Sequence, residues 1–426
     1  MPTASKKVIN SWAMYDWANS AYSLIIVSAI FPAYFTAIAP EKVHFAGRIF
    51  DRASLASYSI SLSFLIIAIL SPVLSSIADY KGNKKQFMKF FCYLGSISCI
   101  ALTAMTKNSI GFGIICSIIA SIGFCGSIVF YNAYLPEIAD EKDQDRVSAK
   151  GFALGYVGSV LLMIFCLAAI LSNDKFNLGW GSWPARLSFL AVGLWWAGFA
   201  QITFKNLPPS LPSQQHPEHS IIVNGFYELR KVWGQLKEYP VPKRFLRSFF
   251  FYNMGVQTVM YLSAYFASDE LKLGSSQLII TILIIQLVAI LGATLFARVS
   301  NKIGNTNTLL LIILFWIGIC VFAYNTHTAN QFYLLAFCVG LVMGGIQSMS
   351  RSTYSKLLPP TKDTASYFSF YDVCDKIGTV IGTLSFGYVA EFFGGMRNSV
   401  LSLMAFFIIG GTLLIFVNTK KKIVIA

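Results

Sequence analysis

The sequence predicts an all-α integral membrane protein in which twelve transmembrane helices form two six-helix halves with pseudo-two-fold symmetry. Of the 426 residues, 55% are hydrophobic and only 12% are charged, so a water-soluble fold would leave too much apolar surface exposed. Twelve stretches reach roughly the 20 apolar residues that a helix needs to cross the hydrocarbon core of a bilayer. A polar segment divides these stretches into two sets of six.

The predicted spans follow one another with short polar connections. The first span is long and contains an acid and an asparagine, unlike the apolar region of a signal peptide, so we expect it to stay in the protein. The twelve spans lie near residues 12–38, 54–77, 87–106, 110–134, 149–171, 187–204, 245–267, 276–298, 308–324, 332–350, 366–392 and 398–417.

The charge distribution indicates the topology rather than nucleic-acid binding. The chain has 33 Lys and Arg residues against 19 Asp and Glu residues, which gives a formal net charge of +14. Most of the basic residues fall in segments on the same side as the amino terminus, where they are divided among separate short loops. This bias predicts that both termini lie in the cytoplasm. We therefore expect contacts with membrane lipids but no nucleic-acid partner.

No cofactor chemistry is predicted. The eight cysteines are scattered singly through apolar spans without a CxxC pair, and the four histidines fall in predicted loops. Neither a disulfide framework nor a metal site is supported by this pattern. The sequence has no GxxxxGK[ST] phosphate loop, so we do not expect ATP to drive the protein. We expect a monomer that is not an enzyme.

Internal similarity suggests that one half was duplicated. Two short motifs that follow even-numbered spans of the first half recur in the second half at nearly the same offset. Parallel repeats of six helices are the plan of transporters whose binding site lies between two halves. The similar segments are 79–82 with 301–304 and 135–137 with 358–360, and the predicted units are residues 1–204, a central loop 205–244 and residues 245–426.

The central loop contains a candidate amphipathic helix. After a Pro-rich break, Ile222, Phe226, Leu229, Trp233 and Leu236 follow one another at helical spacing, and basic residues lie off this stripe. The pattern predicts a helix on the cytoplasmic membrane surface that couples the two halves. A solvated linker is the alternative.

Several polar residues fall inside the apolar spans. A charge at membrane depth costs at least about 2.5 kcal/mol, so it normally faces a partner or a wet cavity. Asp16 lies one turn inside the predicted start of span one, with Asn19 and Ser20 on the same helix face. The groups predicted at similar depth are Tyr131 and Asn132 of span four, Tyr252, Asn253 and Gln257 of span seven, and Gln347 and Arg351 of span ten. Together they predict a polar cavity or an inner gate.

Two readings of Asp16 remain open at this point. An acid within the first turn of a helix is favoured by the helix dipole by about 0.3 to 1 kcal/mol. The alternative is that Asp16 faces span seven and contacts substrate or a proton in the cavity.

Span eleven carries three charges in five residues. Lys376 stands four residues after Asp372, a spacing that lets the two side chains share a helix face and pair. Asp375 is expected to point elsewhere and to need another partner, or a proton. The trio is either a buried ion-pair network that locks helices together or a group with a coupling or substrate role.

The polar segment after span two is a candidate gating loop. It contains Asp79, Gly82 and Lys84, and the corresponding segment after span eight offers Asn301 and Gly304. A carboxylate at the position of Asp79 can cap the amino-terminal end of a neighbouring helix, which we expect to be span eleven. Such a contact would hold the inner side shut while the outer side is open.

These motifs resemble a known group of transporters. The loop SIADYKGNKK is similar to the signature after the second helix of the major facilitator superfamily, with Ser75 where a glycine is usual. Within that superfamily, YDWANSAY, YNAYLPEIA, YNMGVQT and GGIQSMSRSTYSKLLP resemble the UMF1 family, which includes the autophagy-related vacuolar amino-acid effluxers. The resemblance implies the twelve-helix major facilitator fold and secondary transport. It also implies cavity-lining roles for Asp16, Asn19, Gln257, Gln347 and Arg351.

Two positions depart from the pattern of the family. Met254 stands in span seven where the family usually has an acid, and Asn301 replaces an acid in the second loop motif. If the missing acid couples protons in relatives, another group must do so here, or coupling is absent. The short loops favour a bacterial inner membrane over a vacuolar one.

The expected function is secondary transport of a small polar or amphipathic organic solute by alternating access, with proton coupling as an option. The family makes amino acids or similar metabolites the first candidates. The alternatives are an exporter of lipid-like or toxic compounds and a membrane sensor that uses the same fold without transporting.

Overall fold

The computed structural model describes residues 3–210, 212, 221–392 and 395–417. The first half contains α1 (Lys6–Ala21), a π-helical segment (Tyr22–Ala29), α2 (Ile30–Ile38), α3 (Arg52–Lys81), α4 (Lys84–Leu102), α5 (Ile110–Ala133), α6 (Leu135–Ile138), α7 (Gln144–Phe176) and α8 (Trp183–Asn206). Helix α9 (Ile221–Glu238) precedes the second half, which contains α10 (Pro240–Leu271), α11 (Ser275–Ile303), α12 (Asn305–Tyr324), α13 (Ala329–Leu357), α14 (Thr364–Phe392) and α15 (Met396–Ile415).

Long helices occupy the positions of the predicted spans. Among the described residues, nine helical segments are long and apolar enough to cross a membrane. Helices α4, α10 and α14 also coincide with predicted spans but carry more polar residues. Large apolar side chains such as Leu65, Phe165, Leu314 and Leu384 are exposed on the outside of the helices, as expected for surfaces that face lipid. The protein is therefore an integral, multi-pass membrane protein.

The helix ends lie on two opposite sides of the bundle. The side at which α1 begins and α15 ends is called the termini side here, and the opposite side is called the hairpin side. The two halves meet where α7 packs against α11 and α13, and where α3 and α5 pack against α14. Four of the charged or polar clusters described below lie along this contact.

The first span is bent rather than continuous. Its middle part, Tyr22–Ala29, is a π-helix, and Ala29 has φ −127° and ψ −80°, outside the helical range. Tyr22 in this segment shares a 2.7 Å hydrogen bond with Ser121 of α5. Such segments are rare and often mark functional positions. The uninterrupted helix expected from the sequence is therefore wrong at this position.

A small β-hairpin lies between α2 and α3. Strands β1 (Lys42–Phe45) and β2 (Arg48–Asp51) pair antiparallel, with Lys42 opposite Asp51. The two-residue turn has positive φ at Ala46 (49°) and Gly47 (76°), the geometry that matches the twist of a tight hairpin. The sequence analysis treated this segment as a loop.

Helix α9 packs on the termini side against α3, with further contacts to α10 and α14. Val232 and Leu236 are buried, whereas Trp233 is 54% exposed even though its ring lies 5.6 Å from that of Phe370. The predicted stripe was thus partly wrong, because Val232 rather than Trp233 is buried. The side chains of Ile222 and Phe226 lie outside the described residues.

Polar contacts also join α9 to the second half. Lys231 lies 3.3 Å from Asp363, and Tyr367 donates a 3.1 Å hydrogen bond to Gln235. The alternative of a solvated linker is wrong for residues 221–238, because they form a helix that contacts both halves.

Candidate functional site

An arginine of the second half is inserted into the first half. Arg351 lies on α13 and is 3% exposed, and its Nη1 and Nη2 atoms are each 3.1 Å from Oδ2 of Asp16 on α1. Asp16 is itself 6% exposed. Tyr131 of α5 donates a 2.7 Å hydrogen bond to the same carboxylate oxygen. The pair therefore joins the two halves through buried, charge-assisted hydrogen bonds.

Hydrogen bonds use the full donor capacity of the guanidinium. Besides the two bonds to Asp16, its Nε donates to Ser148 Oγ (3.0 Å) and Nη2 donates to the Ser148 carbonyl (2.8 Å). Nη1 donates to Asn132 Oδ1 at 3.4 Å. An arginine side chain has five N–H donors. All five bonds of Arg351 go to α1, α5 and α7 of the first half.

Aromatic rings surround the same guanidinium. Its carbon lies 4.1 Å from the ring centroid of Phe152, 4.9 Å from that of Trp12 and 5.4 Å from that of Tyr131. Trp12 stacks on Tyr131 and donates a 3.0 Å hydrogen bond to its carbonyl, which fixes both rings. Cations are attracted to aromatic faces within about 6 Å, especially away from water.

A glycine makes room for this pocket. A Cβ atom on Gly151 of α7 would lie 2.3 Å from Asp16 Oδ2 and 2.9 Å from Arg351 Nη2. One turn further, a Cβ on Gly155 would lie 2.4 Å from Ser20 Oγ and 3.1 Å from the Asp16 carbonyl. The glycines of α7 thus let α1 approach closely and leave space for the ion pair.

Two expectations about Asp16 were wrong. Helix α1 begins at Lys6, so Asp16 lies in its third turn, where the helix dipole no longer favours an acid. Its charged partner is Arg351 of span ten rather than a group of span seven. The amide of Asn19 is buried beside it, and among the described residues its Nδ2 has no hydrogen-bond partner.

A second inter-half cluster is centred on Asp145 near the start of α7. Its carboxylate lies 2.6 Å from Lys356 Nζ and accepts 2.8 Å hydrogen bonds from Ser300 and Asn305. Asp145 is 2% exposed, and all three partners belong to the second half. This cluster lies nearer to the termini side than Arg351, because Lys356 follows Arg351 on α13.

A third cluster joins α3 to the start of α14. Asp79 accepts hydrogen bonds from the backbone N–H groups of Ala365 (3.2 Å) and Ser366 (2.7 Å). These N–H groups lie in the first turn of α14 and have no partner within the helix. The cap that the sequence predicted is therefore present. Ser366 also donates through its hydroxyl at 2.7 Å.

Lys84 completes this cluster although it is almost fully buried. Its Nζ lies 3.0 Å from Asp79 Oδ1 and 2.5 Å from Glu137 Oε1. It also donates to Thr364 Oγ1 at 2.7 Å, across the interface between the halves. One buried ammonium thus links two acids of the first half to the start of α14.

The two loop glycines adopt positive φ, as a tight helix end requires. Gly82 has φ 67°, and a Cβ there would lie 2.7 Å from the nitrogen of Pro212. Gly304 has φ 83° at the end of α11. Asn301 is exposed, and the acid that pairs with Lys356 near this loop is Asp145 of the first half instead. The two loops are therefore not equivalent in their contacts.

Polar side chains continue toward the middle of the bundle. Tyr156 of α7 donates a 2.6 Å hydrogen bond to Gln347 of α13, so these residues also join the halves. Gln347 in turn lies 3.2 Å from the sulfur of Met260. Tyr252 of α10 pairs with Ser350 at 2.7 Å within the second half.

The three charges of span eleven form one network at this depth. Lys376 Nζ lies 2.5 Å from Asp375 and 3.6 Å from Asp372. Asn253 and Gln257 of α10 each donate a 2.7 Å hydrogen bond to Asp375. The expectation that Asp375 points away from Lys376 was wrong, because the flexible lysine reaches both carboxylates.

Asp372 is the acid of this network that keeps an unused oxygen. It is 5% exposed, and among the described residues its Oδ2 has no hydrogen-bond partner. The network also faces the first half, since Lys376 Nζ lies 5.3 Å from the ring centroid of Phe64 on α3. Met254, at the position of the missing family acid, packs against Gly378 of α14.

Several groups that complete these clusters could not be predicted from the sequence. Ser148, Asp145 and Lys356 lie just outside the predicted spans 149–171 and 332–350, where polar residues are common and carry little signal. Trp12 and Phe152 look like ordinary membrane aromatics in the sequence. The one available hint was that Asp145 and Lys356 are charges within a few residues of apolar spans.

The cluster chemistry does not include a metal site. Within the ranges that the structure describes, no group of three or more His, Cys, Asp and Glu side chains could hold a metal ion. The clusters instead combine acids with basic and amide groups, which suits recognition of charged groups and switching of ion pairs.

Comparisons with known proteins place the chain in a family. Residues 4–426 match the family model described as "Vacuole effluxer Atg22 like". The chain is 33% identical over 414 residues to "Uncharacterized MFS-type transporter YxiO" of Bacillus subtilis (strain 168), covering 97% of this chain and 95% of that protein.

Solved transporters share the fold at low sequence identity. The human organic anion transporter MFSD10 (TETRAN) has a TM-score of 0.72 and 12% identity, covering 96% of this chain and 98% of the other. The fucose:proton symporter FucP of E. coli has a TM-score of 0.70 and 15% identity, covering 97% and 98%. These structures show the major facilitator fold. With the family match over nearly the whole sequence, they lead to one conclusion: the chain belongs to the Atg22-like vacuole effluxer family of major facilitator superfamily transporters.

Proposed function

We propose that this protein moves a small polar or amphipathic organic solute, first of all an amino acid, across the membrane by alternating access. The observation that carries the proposal is the burial of Arg351 of one half against Asp16 of the other. A solute path between the halves can open on the termini side only if these contacts separate.

The inter-half clusters support a two-state gate. Asp145 with Lys356, and Asp79 with the start of α14, lie on the same side of the bundle as the Arg351 pocket. Breaking a buried pair is costly because it leaves charges without partners. We therefore assign this structure to the form that is closed on the termini side, and the other form must satisfy the separated charges with water, protons or other ligands.

The network on α14 supports a zwitterionic solute. Asp372 offers a buried carboxylate oxygen without a hydrogen-bond partner among the described residues, and Lys376 offers a cation 3.6 Å from the other oxygen. A solute ammonium could bind the free oxygen of Asp372 while its carboxylate approaches Lys376. A cavity for lipid-like compounds would instead need a mostly apolar centre.

The proposal includes the orientation of the protein in the membrane and the coupling of transport to protons. The excess of Lys and Arg in the segments on the termini side supports a cytoplasmic location for that side. The relative from Bacillus supports a bacterial cell membrane. The buried carboxylates Asp16 and Asp372 are the candidate groups for coupling transport to protons, since Met254 cannot do so.

Flux into proteoliposomes tests the proposal. Purified protein is reconstituted and supplied with radiolabelled amino acids, one at a time, with and without a pH gradient. We expect saturable uptake or release of at least one amino acid, and a dependence of its rate on the gradient.

A matched variant makes the result specific. Asp372→Asn, which keeps the shape of the side chain, should raise the KM for flux at least tenfold while the protein remains folded. If no amino acid is transported but purified protein still binds one in a thermal-shift assay, the sensor alternative gains support. If neither transport nor binding is found, the proposed solute class is wrong.

A further inference from the structure

We propose that the pocket around Arg351 is a guanidinium-binding site of the first half, which a solute guanidinium can occupy when Arg351 withdraws. The inference rests on the proposed alternating access, because only the form that is open on the termini side exposes the pocket. The ligand class is a guanidinium cation that enters from the termini side. Its binding would hold that side open.

The acceptors and aromatic rings that contact the guanidinium belong to the first half. The carboxylate of Asp16, the amide oxygen of Asn132 and both oxygens of Ser148 accept the hydrogen bonds of Arg351. These acceptors lie on α1, α5 and α7 of the first half, where α1 packs against both α5 and α7. This packing holds the acceptors in place within the first half, although the Ser148 hydroxyl also donates a 2.8 Å hydrogen bond to the Ser348 carbonyl of α13.

The arrangement of the acceptors matches the planar guanidinium group. They receive bonds from all three nitrogens of the guanidinium, at 2.8 to 3.4 Å. A compact ammonium has three donors on a single atom and cannot reach acceptors arranged around a plane. The geometry thus selects guanidinium over alkylammonium cations.

Withdrawal of Arg351 would leave the carboxylate of Asp16 without its charged partner. Asp16 would remain on α1 with its partner Tyr131, and the faces of Trp12 and Phe152 that now contact the guanidinium would border the vacated space. A partly buried carboxylate among aromatic rings attracts a cation strongly. The pocket fits the guanidinium of Arg351, so a free guanidinium cation competes with Arg351 for the same contacts.

A vacated pocket can be made by mutation and probed directly. Methylguanidinium is added to purified full-length Arg351→Ala, and Tm is followed as a function of concentration. We expect a saturable rise in Tm, half-maximal on the order of 1 mM, as suits a ligand of so few atoms. Methylammonium at the same concentrations should raise Tm at least several-fold less.

The matched control removes the carboxylate as well. In Arg351→Ala with Asp16→Asn, methylguanidinium should give no saturable rise in Tm. The proposal is overturned if the two variants respond alike, or if methylammonium stabilises Arg351→Ala as well as methylguanidinium does. This binding assay needs no transport, so a failure of the flux experiment leaves its result intact.

A second measurement decides the matter if Arg351→Ala does not fold. Ser355 is buried one turn beyond Arg351 on the same face of α13, and among the described residues its hydroxyl has no partner, so Ser355→Cys is a mild reporter of opening. Methylguanidinium should speed labelling of this cysteine from the termini side several-fold. Asp79→Asn, which weakens the closed form, is the positive control.

The two controls separate the possible failures. If Asp79→Asn speeds labelling and methylguanidinium does not, the guanidinium site is refuted while the gate survives. If neither speeds labelling, alternating access at this gate is wrong and the inference falls with it.

Discussion

The guanidinium of Arg351 lies 3.1 Å from the carboxylate of Asp16, although the two residues are 335 positions apart and belong to different halves. The contact is buried, and every hydrogen bond that Arg351 donates from its side chain there goes to the first half. Arg351 therefore holds the two halves together on the termini side, because it cannot leave without breaking all five hydrogen bonds; this contact is called the latch below.

Removing either charge of the pair should destabilise the closed form. Asp16→Asn leaves the cation of Arg351 buried without an anion, at a cost of about 3–5 kcal/mol for a buried pair. The reverse variant, Arg351→Gln, leaves Asp16 unpaired at a similar cost. In a double-mutant cycle on unfolding free energy, the double variant should lose less than the sum of the singles. Additive losses would show that the pair is not coupled.

Adding one carbon beside the latch should open it. Gly151→Ala places a Cβ only 2.3 Å from Asp16 Oδ2, so the ion pair must shift or the halves must separate. We expect faster labelling of Ser355→Cys from the termini side and a lower Tm. Gly198→Ala on α8 is the control, because a Cβ there meets nothing within 4 Å. It should be neutral or stabilise by about 0.5–1 kcal/mol.

The sequence predicted the depth of the site better than its pairings. Hydrophobicity and span order place Asp16, Tyr131, Asn132 and Arg351 in the same layer of the membrane, and the structure brings these four together. A position along the chain gives the depth of a residue but not the direction in which it faces across the bundle. The partner of Asp16 was therefore assigned to the wrong helix.

Other differences have equally local causes. Helical spacing correctly paired Lys376 with Asp372, but it ignores the reach of a long lysine side chain, which also contacts the adjacent Asp375. The hairpin was missed because its strands have only four residues each, too few for a clear alternating pattern. The first span looked continuous since a π-helix keeps the same apolar composition as an α-helix.

The Asp145 cluster should stabilise the closed form independently of the latch. Asp145→Asn keeps the hydrogen-bonding shape but leaves Lys356 without its acid, which we expect to cost on the order of 2 kcal/mol. The cost should be smaller than for the latch because Lys356 keeps some contact with water. Asp143→Asn, two residues earlier, removes an exposed pair with Arg146 and should change the unfolding free energy little. Equal effects of the two variants would argue against a role for Asp145 in closure.

The two acids of α14 should separate folding from solute binding. Asp375 receives hydrogen bonds from Asn253 and Gln257 and the close contact of Lys376, so Asp375→Asn should lower Tm by disrupting the contact between α10 and α14. Asp372 contributes a longer contact to Lys376 and keeps one oxygen without a partner among the described residues, so Asp372→Asn should leave Tm almost unchanged.

Asp372→Asn should impair flux more than Asp375→Asn does. If the free oxygen of Asp372 binds the ammonium of the solute, Asp372→Asn should raise the KM for flux at least tenfold, because a tenfold change corresponds to only about 1.4 kcal/mol of lost binding. Flux that remains normal in a well-folded Asp372→Asn protein would remove this residue from the solute site.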